Sequence, residues 1–385
     1  MAENRKDRSG DGSQVRYTVY KLRLHPTPEQ AALMDKTFAC CRYLWNKMLT
    51  DAREFYAATD LQYIPTPAHY KKEAPFLKEV DSQALCTVHQ NLRKAYLDFF
   101  RAPGTFGYPR FKTKKAGKDS FTVYCREYRT GPSIRLAGGK LQMPKLGAVE
   151  VVVHRRPQSG WTLVSVTVSK SRSGKYDASV VFKYPVGQVE PVRPDPERTL
   201  GLSYSPSCFY VDSEGGIPDQ PDLTRSKEKL VRMQQKLARM ERGSNNYDQQ
   251  LQKIRLLHEH IANQRKDFIH KESRRIANAW DAVCVRGDSM TDIAREVKQG
   301  NAMEAGFGIF RECLRYKLAR QGKQLITVDR YVPTTRTCSA CGLVLDGEVS
   351  YKRRMWQCPK CGTVHNRETN AAKNIKSEGL AQFCA

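Results

Sequence analysis

No apolar run in this sequence approaches the roughly 20 residues that a membrane-spanning helix requires. The opening segment, MAENRKDRSGDGSQVR, is polar and of mixed charge, without the apolar core of a signal peptide. Both absences argue against a membrane or secreted protein and for a cytoplasmic one. A disulfide framework is missing too. The twelve cysteines are scattered except for two Cys-x-x-Cys pairs, which in a chain with no secretion signal points to reduced thiols and one metal centre. Acidic residues are scarce relative to basic ones, 40 against 65, for a formal charge of +25. So large a surplus repels itself unless a polyanion is bound, so nucleic acid is the expected partner.

What is present falls into segments of different character. Residues 1–14 read as a disordered tail. YTVYKLRL alternates as a strand, and in the following HPTPEQ, Thr27 is placed as a helix N-cap with Pro28 at the first helical position. Helical spacing of Leu33, Phe38, Cys41, Leu44, Trp45, Met48 and Leu49 marks a core-facing helix. A second helix is expected over 82–101, with Leu85, Val88, Leu92, Tyr96, Phe99 and Phe100 on its buried side. The loop FGYPRFKTKKAGKDS interleaves aromatics with cations, a composition suited to phosphate contacts and base stacking. Residues 120–185 are short β-branched strands separated by Gly and Pro, as in a small antiparallel barrel or sandwich.

PVGQVEPVRPDPER is a proline-rich boundary. Beyond it come two strand signals, a helical hairpin broken at RGSNN, the buried strand DAVCV, a helix ending at Gly322 and the strand QLITV. That order describes a mixed α/β sheet. In the hairpin, Leu230, Met233, Leu237 and Met240 form one apolar stripe, facing Leu251, Ile254, Leu257 and Ile261 as a packing seam.

Cys338, Cys341, Cys358 and Cys361 follow the C-x₂-C-x₁₆-C-x₂-C spacing of a zinc ribbon. Gly342 and Gly362 close its two knuckles. Four thiolates saturate tetrahedral zinc, so the ion is expected to be structural. The ribbon leads directly into HNRETNAAKNI.

Taken in order, HPTPEQAALMDKTFACCRYLWNKML, FGYPRFKTKK, LGLSYSPSCFYVDSEG, IANQRKDFIHKESRRIAN and the ribbon running into NAAKNI resemble the TnpB family. These are transposon-encoded RNA-guided nucleases related to the miniature type V CRISPR effectors. The resemblance implies a multidomain α/β protein with an RNase H-like (RuvC) domain, a zinc ribbon, a wedge β-barrel and an inserted helical recognition domain. The barrel is expected to begin at 15–26 and resume at 119–190, around a recognition domain at 27–118. The RuvC-like domain is expected at 196–333 with its hairpin, the ribbon at 334–363, and the end of that domain with the C-terminal tail at 364–385. The implied partners are a guide RNA and a double-stranded DNA target beside a short motif, in the nucleoid of a prokaryotic cell.

Nuclease chemistry in that family rests on three carboxylates holding two Mg²⁺ ions. All three positions depart from the pattern here. GLS puts Ser203 where the first Asp belongs, RGDSM puts Arg286 in place of Glu, and NRETNAA puts Glu368 in place of the third Asp, with Asn366 replacing an accompanying Asp. A guanidinium about 4 Å from a divalent ion costs on the order of 8 kcal/mol at an effective dielectric near 20. Mg²⁺ is therefore not expected at this site, although Asp212, Glu214, Asp288 and Asp292 are carboxylates within reach in sequence. The expectation is a nuclease-dead, RNA-guided DNA-binding protein that represses transcription. A divergent active nuclease and a decaying transposon passenger are the alternatives. Expected nucleic-acid contacts are Gln83 and Gln90 on the second helix, Arg110, Lys112, Lys114 and Lys115 in the basic loop, and Arg353 and Arg354 on the ribbon hairpin.

Overall fold

The computed structural model describes residues 14–116, 119–187, 189–289, 306–347 and 354–384. The expected tail falls outside them, save that residue 14 already belongs to the first strand. The chain divides into two compact units, Met1–Gln188 and Val189–Ala385.

In the first unit, strand β1 (Gln14–His25) leads into helix α1 (Pro28–Thr59). The junction is a capping box: Thr27 Oγ1 accepts from the Gln30 amide at 3.3 Å, and Gln30 Oε1 accepts from the Thr27 amide at 3.0 Å. A short helix α2 (Pro67–Glu73) follows, then α3 (Ser82–Arg101), capped by the Asp81 carboxylate on the Gln83 and Ala84 amides. Leu85, Val88, Leu92 and Tyr96 are buried as the spacing predicts. Phe100 is not: it stands 54 % exposed in the last turn of the helix, stacked on Tyr96 and edge-on to Phe99.

The strands after α3 are β2 (Asp119–Tyr124), β3 (Glu127–Tyr128), β4 (Gly131–Pro132), β5 (Arg135–Ala137), β6 (Lys140–Met143), β7 (Gly147–Val152), β8 (Thr162–Lys170) and β9 (Tyr176–Val186). Six of them join β1 in one seven-stranded antiparallel sheet in the order β2-β8-β9-β1-β7-β6-β5, with β3 and β4 a separate pair. Strand β1 lies inside this sheet, paired with β9 along its length and with β7 at its end. Its alternation puts Tyr20, Leu22 and Leu24 into the interior. That interior is continuous with the buried faces of α1 and α3. The expected helical and β segments of this unit therefore share one hydrophobic core.

The second unit centres on a four-stranded sheet in the order β11-β10-β12-β13. Its strands are β10 (Thr199–Ser205), β11 (Phe209–Asp212), β12 (Ala282–Arg286) and β13 (Gln324–Val328). β10, β12 and β13 run parallel, and β11 is antiparallel to β10. Helices α4 (Thr224–Ala238) and α5 (Asn245–Ala279) form the hairpin. Leu230, Met233 and Leu237 are among the half-buried positions of an otherwise exposed α4, Met240 is half-buried just past its end, and Gln250 of α5 hydrogen-bonds the Met233 carbonyl at 3.1 Å. The expected seam is there. Helix α6 (Phe307–Arg320) packs with α5 on one face of the sheet, around Leu202, Tyr210, Val285 and Phe310.

Strands β14 (Met355–Gln357) and β15 (Val364–Asn366) pair in the ribbon, and helix α7 (Arg367–Cys384) covers the other sheet face. That approach is close. A Cβ at Gly201 would lie 2.1 Å from the Ala372 carbonyl oxygen, and one at Gly379 would lie 2.3 Å from Cys284 Sγ. Only glycine permits either contact.

Candidate functional site

The parity of β10 and β12 decides which side chains meet α7. Gly201 and Cys284 are Cα partners and both face it. Period-two alternation carries Ser203, Ser205 and Arg286 to the same face. The register ends at Leu202 opposite Val285, so one step further Ser203 and Arg286 come abreast. Glu368, in the first turn of α7, accepts a 3.1 Å hydrogen bond from Ser205 Oγ. The fold thus gathers Ser203, Arg286 and Glu368 onto one face, at the C-terminal ends of two parallel strands and the start of a helix. Asn366 Oδ1 accepts from the Glu368 and Thr369 amides at 3.0 and 3.3 Å, so this residue is the N-cap of α7.

Arg286 is fixed by the chain around it. Its Nε and Nη2 donate to the Arg330 carbonyl at 3.3 and 2.8 Å, and Nε lies 3.3 Å from Asp288 Oδ1. Asp288 does share the side of Arg286, and it is spent on the ion pair. Asp212 pairs with Leu202, which puts it on the opposite sheet face, and its Oδ1 accepts from the Glu214 and Gly216 amides. Asp292 falls outside the described residues. This corner thus offers the Ser203 and Ser205 hydroxyls, the hydrogen-bonded Glu368, and a carboxylate paired with a guanidinium. Such a set does not fit a pair of divalent ions, which needs convergent free carboxylates.

The four cysteines do fit a metal. Their sulfurs all lie within 4.8 Å of one another, with Cys338–Cys361 at 3.7 Å and Cys341–Cys358 at 3.6 Å. Zinc–sulfur bonds of about 2.3 Å in a tetrahedron place sulfurs about 3.8 Å apart. Gly342 and Gly362 each take φ 74°, which lets their amides turn back to the Cys338 and Cys358 carbonyls at 2.9 Å. Hydrogen bonds from Thr363 pull the Cys361 thiol down to about 6, toward the thiolate a metal needs. His365 Nε2 sits 3.0 Å from Cys338 Sγ. Burial and then the charge of Lys373 hold this imidazole below its usual pKa, so it is neutral and can orient that sulfur by donating to it. Zinc bound here would supply a fixed cross-link between two knuckles, held by Cys338, Cys341, Cys358 and Cys361.

The ribbon is tied to α7 by two asparagines. Buried Asn370 accepts from the Ser339 amide at 2.9 Å and donates to the Thr337 carbonyl at 2.7 Å. Asn374, one turn on, donates to the Thr334 and Thr337 carbonyls at 2.8 and 2.7 Å. Neither was singled out from sequence, and His365 was not either. The only signal for the asparagines was their i, i+4 spacing within NAAKN.

In the first unit the basic loop is clasped by α1. Trp45 Nε1 donates to the Arg110 carbonyl at 2.9 Å, and Asn46 exchanges two hydrogen bonds with the Lys112 backbone. Lys112 Nζ lies 3.8 Å from the Trp45 ring centre, and the Arg53 guanidinium covers Tyr108 and Phe111. The loop aromatics thus already hold cations of the chain itself, while Arg110, Lys114 and Lys115 stay exposed. On α3, Gln90 is exposed and Gln83 is half-buried. With its amide turned to satisfy both partners, the Gln83 oxygen accepts from Arg126 at 2.8 Å. Gln83 and Arg126 line a cavity of about 400 Å³ together with Asp81, Tyr124, Tyr128 and Lys145, and Gln90 does not. Arg354 is exposed on the ribbon, and Arg353 falls outside the described residues.

Three family descriptions match the chain: "Helix-turn-helix domain" over residues 16–60, "Probable transposase" over 183–287, and "Cas12f1-like, TNB domain" over 307–375. Among the relatives named "Putative RNA-guided DNA endonuclease", two match along most of the chain. One, from Streptomyces pristinaespiralis, is 30% identical over 94% of this chain and 89% of its own length. The other, InsQ of Escherichia coli K12, is 27% identical over 95% and 93%. The fold is similar to that of the protein in a cryo-EM structure of a Cas12f1–sgRNA–target DNA complex. That match has a TM-score of 0.59 at 12% identity and covers 94% of this chain and 99% of the other. A relative of this similarity, matched over 94% of this chain, settles the assignment that the ordered motifs suggested: the chain belongs to the TnpB family.

Proposed function

We propose that this chain is an RNA-guided DNA-binding protein that has lost the nuclease step and represses transcription by occupying its target. In this reading the seven-stranded sheet is the wedge barrel, α1–α3 are the recognition helices, and the four-stranded sheet with α7 is the RuvC-like domain of RNase H type. A guide RNA selects the site by pairing, while the protein reads a short duplex motif and the shape of the heteroduplex. Binding beside a promoter then blocks transcription without chemistry, in the nucleoid of a prokaryotic cell. The relatives' endonuclease names and the +25 charge support guided DNA binding.

One observation carries the loss of cutting. Arg286 stands where a metal-binding carboxylate belongs, and the carboxylate nearest to it in sequence is locked against it as an ion pair. Neither water activation nor stabilisation of a leaving oxygen has a metal scaffold there. The protein–guide complex should bind matched DNA and leave it uncut in Mg²⁺ or Mn²⁺. Ser203→Asp alone should not restore cutting, since Arg286 still opposes the ions. Ser203→Asp, Arg286→Glu and Glu368→Asp together should restore some. Guide-dependent cleavage by the unaltered protein would refute the reading.

A further inference from the structure

We propose that Cys361 is an oxidation site for hydroperoxides: its thiolate is oxidised first and then bonds Cys338, which takes both sulfurs out of the metal donor set. No step of this needs a guide or DNA.

Exposure picks out the residue. Among the described side chains Cys361 is the one exposed cysteine. Cys338 and Cys358 of the same cluster are 1 % exposed, and Cys341 is half-buried. The approach to Cys361 is open as well, since Pro359, Lys360, Gly362 and Thr363 around it are all exposed. A sulfur that serves as a zinc ligand is a thiolate, and the thiolate is the form that attacks a peroxide. Cys40, Cys41, Cys284 and Cys313 are buried outside the cluster, and burial raises each of their thiols above the usual pKa. They stay protonated and inert. Cys86, Cys125 and Cys208 are half-buried and belong to no metal-ligating cluster among the described residues.

The second sulfur makes the oxidation reversible. Cys338 Sγ lies 3.7 Å from Cys361 Sγ, in the other knuckle and on the buried side of the cluster. The chemistry runs as two displacements. Cys361 Sγ attacks one peroxide oxygen, so the S–O bond forms, the O–O bond breaks, hydroxide or alkoxide leaves, and the sulfur becomes a sulfenic acid. Cys338 Sγ then attacks that sulfur, so the S–S bond forms, the S–O bond breaks, and hydroxide leaves. Two thiolates together lose two electrons, the peroxide gains them, and two solvent protons neutralise the two anions released. Cys341 and Cys358 alone do not make a four-ligand zinc site. The new bond still joins the two knuckles, so reduction can rebuild the ribbon. Closing a 3.7 Å gap to a bond of about 2.05 Å also pulls on the Ser339 amide, which Asn370 of α7 holds. Oxidation is thereby felt at the helix.

The test uses the complete zinc-loaded chain, with hydrogen peroxide as the probe and a chelating dye to read zinc. The parent should release its zinc as one equivalent of peroxide is consumed. Peptide mapping should find the Cys338 and Cys361 peptides joined, with the loss of two hydrogens. Amide protection at residues 334–339 should fall in step, and a dithiol with added zinc should reverse all three changes. Cys361→His keeps four zinc ligands without a thiolate at the exposed position, and should release zinc about tenfold more slowly. Cys208→Ser should release it at the parent's rate. Mapping of the parent decides the site without needing any variant to fold. Three results would each overturn the inference: another cysteine oxidised first while zinc is retained, Cys361 carried on to a sulfinic acid or bonded to a sulfur other than Cys338, or Cys361→His losing zinc as fast as the parent.

Discussion

Asn370→Ala removes the clasp between the ribbon and α7, and its cost can be worked out bond by bond. The side chain is 2 % exposed and makes two hydrogen bonds, one from the Ser339 amide and one to the Thr337 carbonyl. After truncation the Thr337 carbonyl keeps Asn374 as a donor, but the Ser339 amide has no acceptor left from this side chain. An orphaned amide costs about 1–3 kcal/mol and an ordinary lost hydrogen bond about 1, giving roughly 2–4 kcal/mol in all. For a unit of this size each kcal/mol moves the midpoint by about 2–4 °C, so the transition of the second unit should fall by roughly 4–16 °C. Asn370→Asp separates hydrogen bonding from volume. It preserves shape and the acceptor for Ser339, but it turns an oxygen toward the Thr337 carbonyl, so at neutral pH it should destabilise at least as much as alanine does. Calorimetry of the zinc-loaded chain, with amide exchange followed at residues 334–345, reads both effects. A midpoint shift of under about 1 °C in both variants would refute the clasp.

Other expectations concern metal, acid and motif reading. Metal analysis should find one zinc per chain, and Cys358→Ser should release it and loosen the last segment, because metal binding and folding are coupled there; well-folded protein without zinc would contradict this. The Arg198 guanidinium, 2.6 Å from Asp281, holds that carboxyl below the usual range. Its folded pKa is depressed, so the stabilisation is present above about pH 4 and is lost as pH falls through the folded value. Asp281→Asn should therefore flatten the acid limb of a stability-against-pH curve while lowering stability at neutral pH. Replacing both Gln83 and Gln90 by alanine should alter the preferred DNA motif in a binding-site selection, with the Gln83 part also felt through Arg126.

Much of the second unit was legible because its signals are short-range. Cysteine spacing located the ribbon, the broken apolar stripes located the α4–α5 seam, and the strand DAVCV was readable as a fully buried run. The expectation that Ser203, Arg286 and Glu368 stand at altered metal-ligand positions came only from the pattern of a resembling family. What the residues alone could not give were contacts made across long sequence separations. Nothing local to YTVYKLRL says that it lies between β9 and β7, more than a hundred residues away. The carbonyl of Arg330 holding Arg286 is invisible for the same reason, since backbone acceptors carry no sequence mark. Phe100 was misplaced because helical periodicity continues to a helix end, whereas burial stops where the covering element stops.

Helix α7 is shared between the strand ends, the ribbon and the sheet. Each of its faces has a different partner within the first three turns. Glu368 and the cap Asn366 look to the strand ends. Asn370 and Asn374 take the ribbon. Ala372, Ile375 and Lys376 lie on the sheet, where Gly201 and Cys284 leave room for nothing larger. The interior of β10 and β12 on this side is sealed by that helix, and the helix is anchored by the ribbon. A change at Ser203 or Arg286 touches none of these three contacts. Losing a zinc ligand frees residues 334–339, then the asparagines that hold them, then the helix that closes the sheet. The same logic predicts the order of failure on chelation: protection should vanish first in the ribbon, next at the start of α7, and last in β12. Simultaneous loss in all three, or loss in β12 first, would show that the ribbon does not anchor the helix.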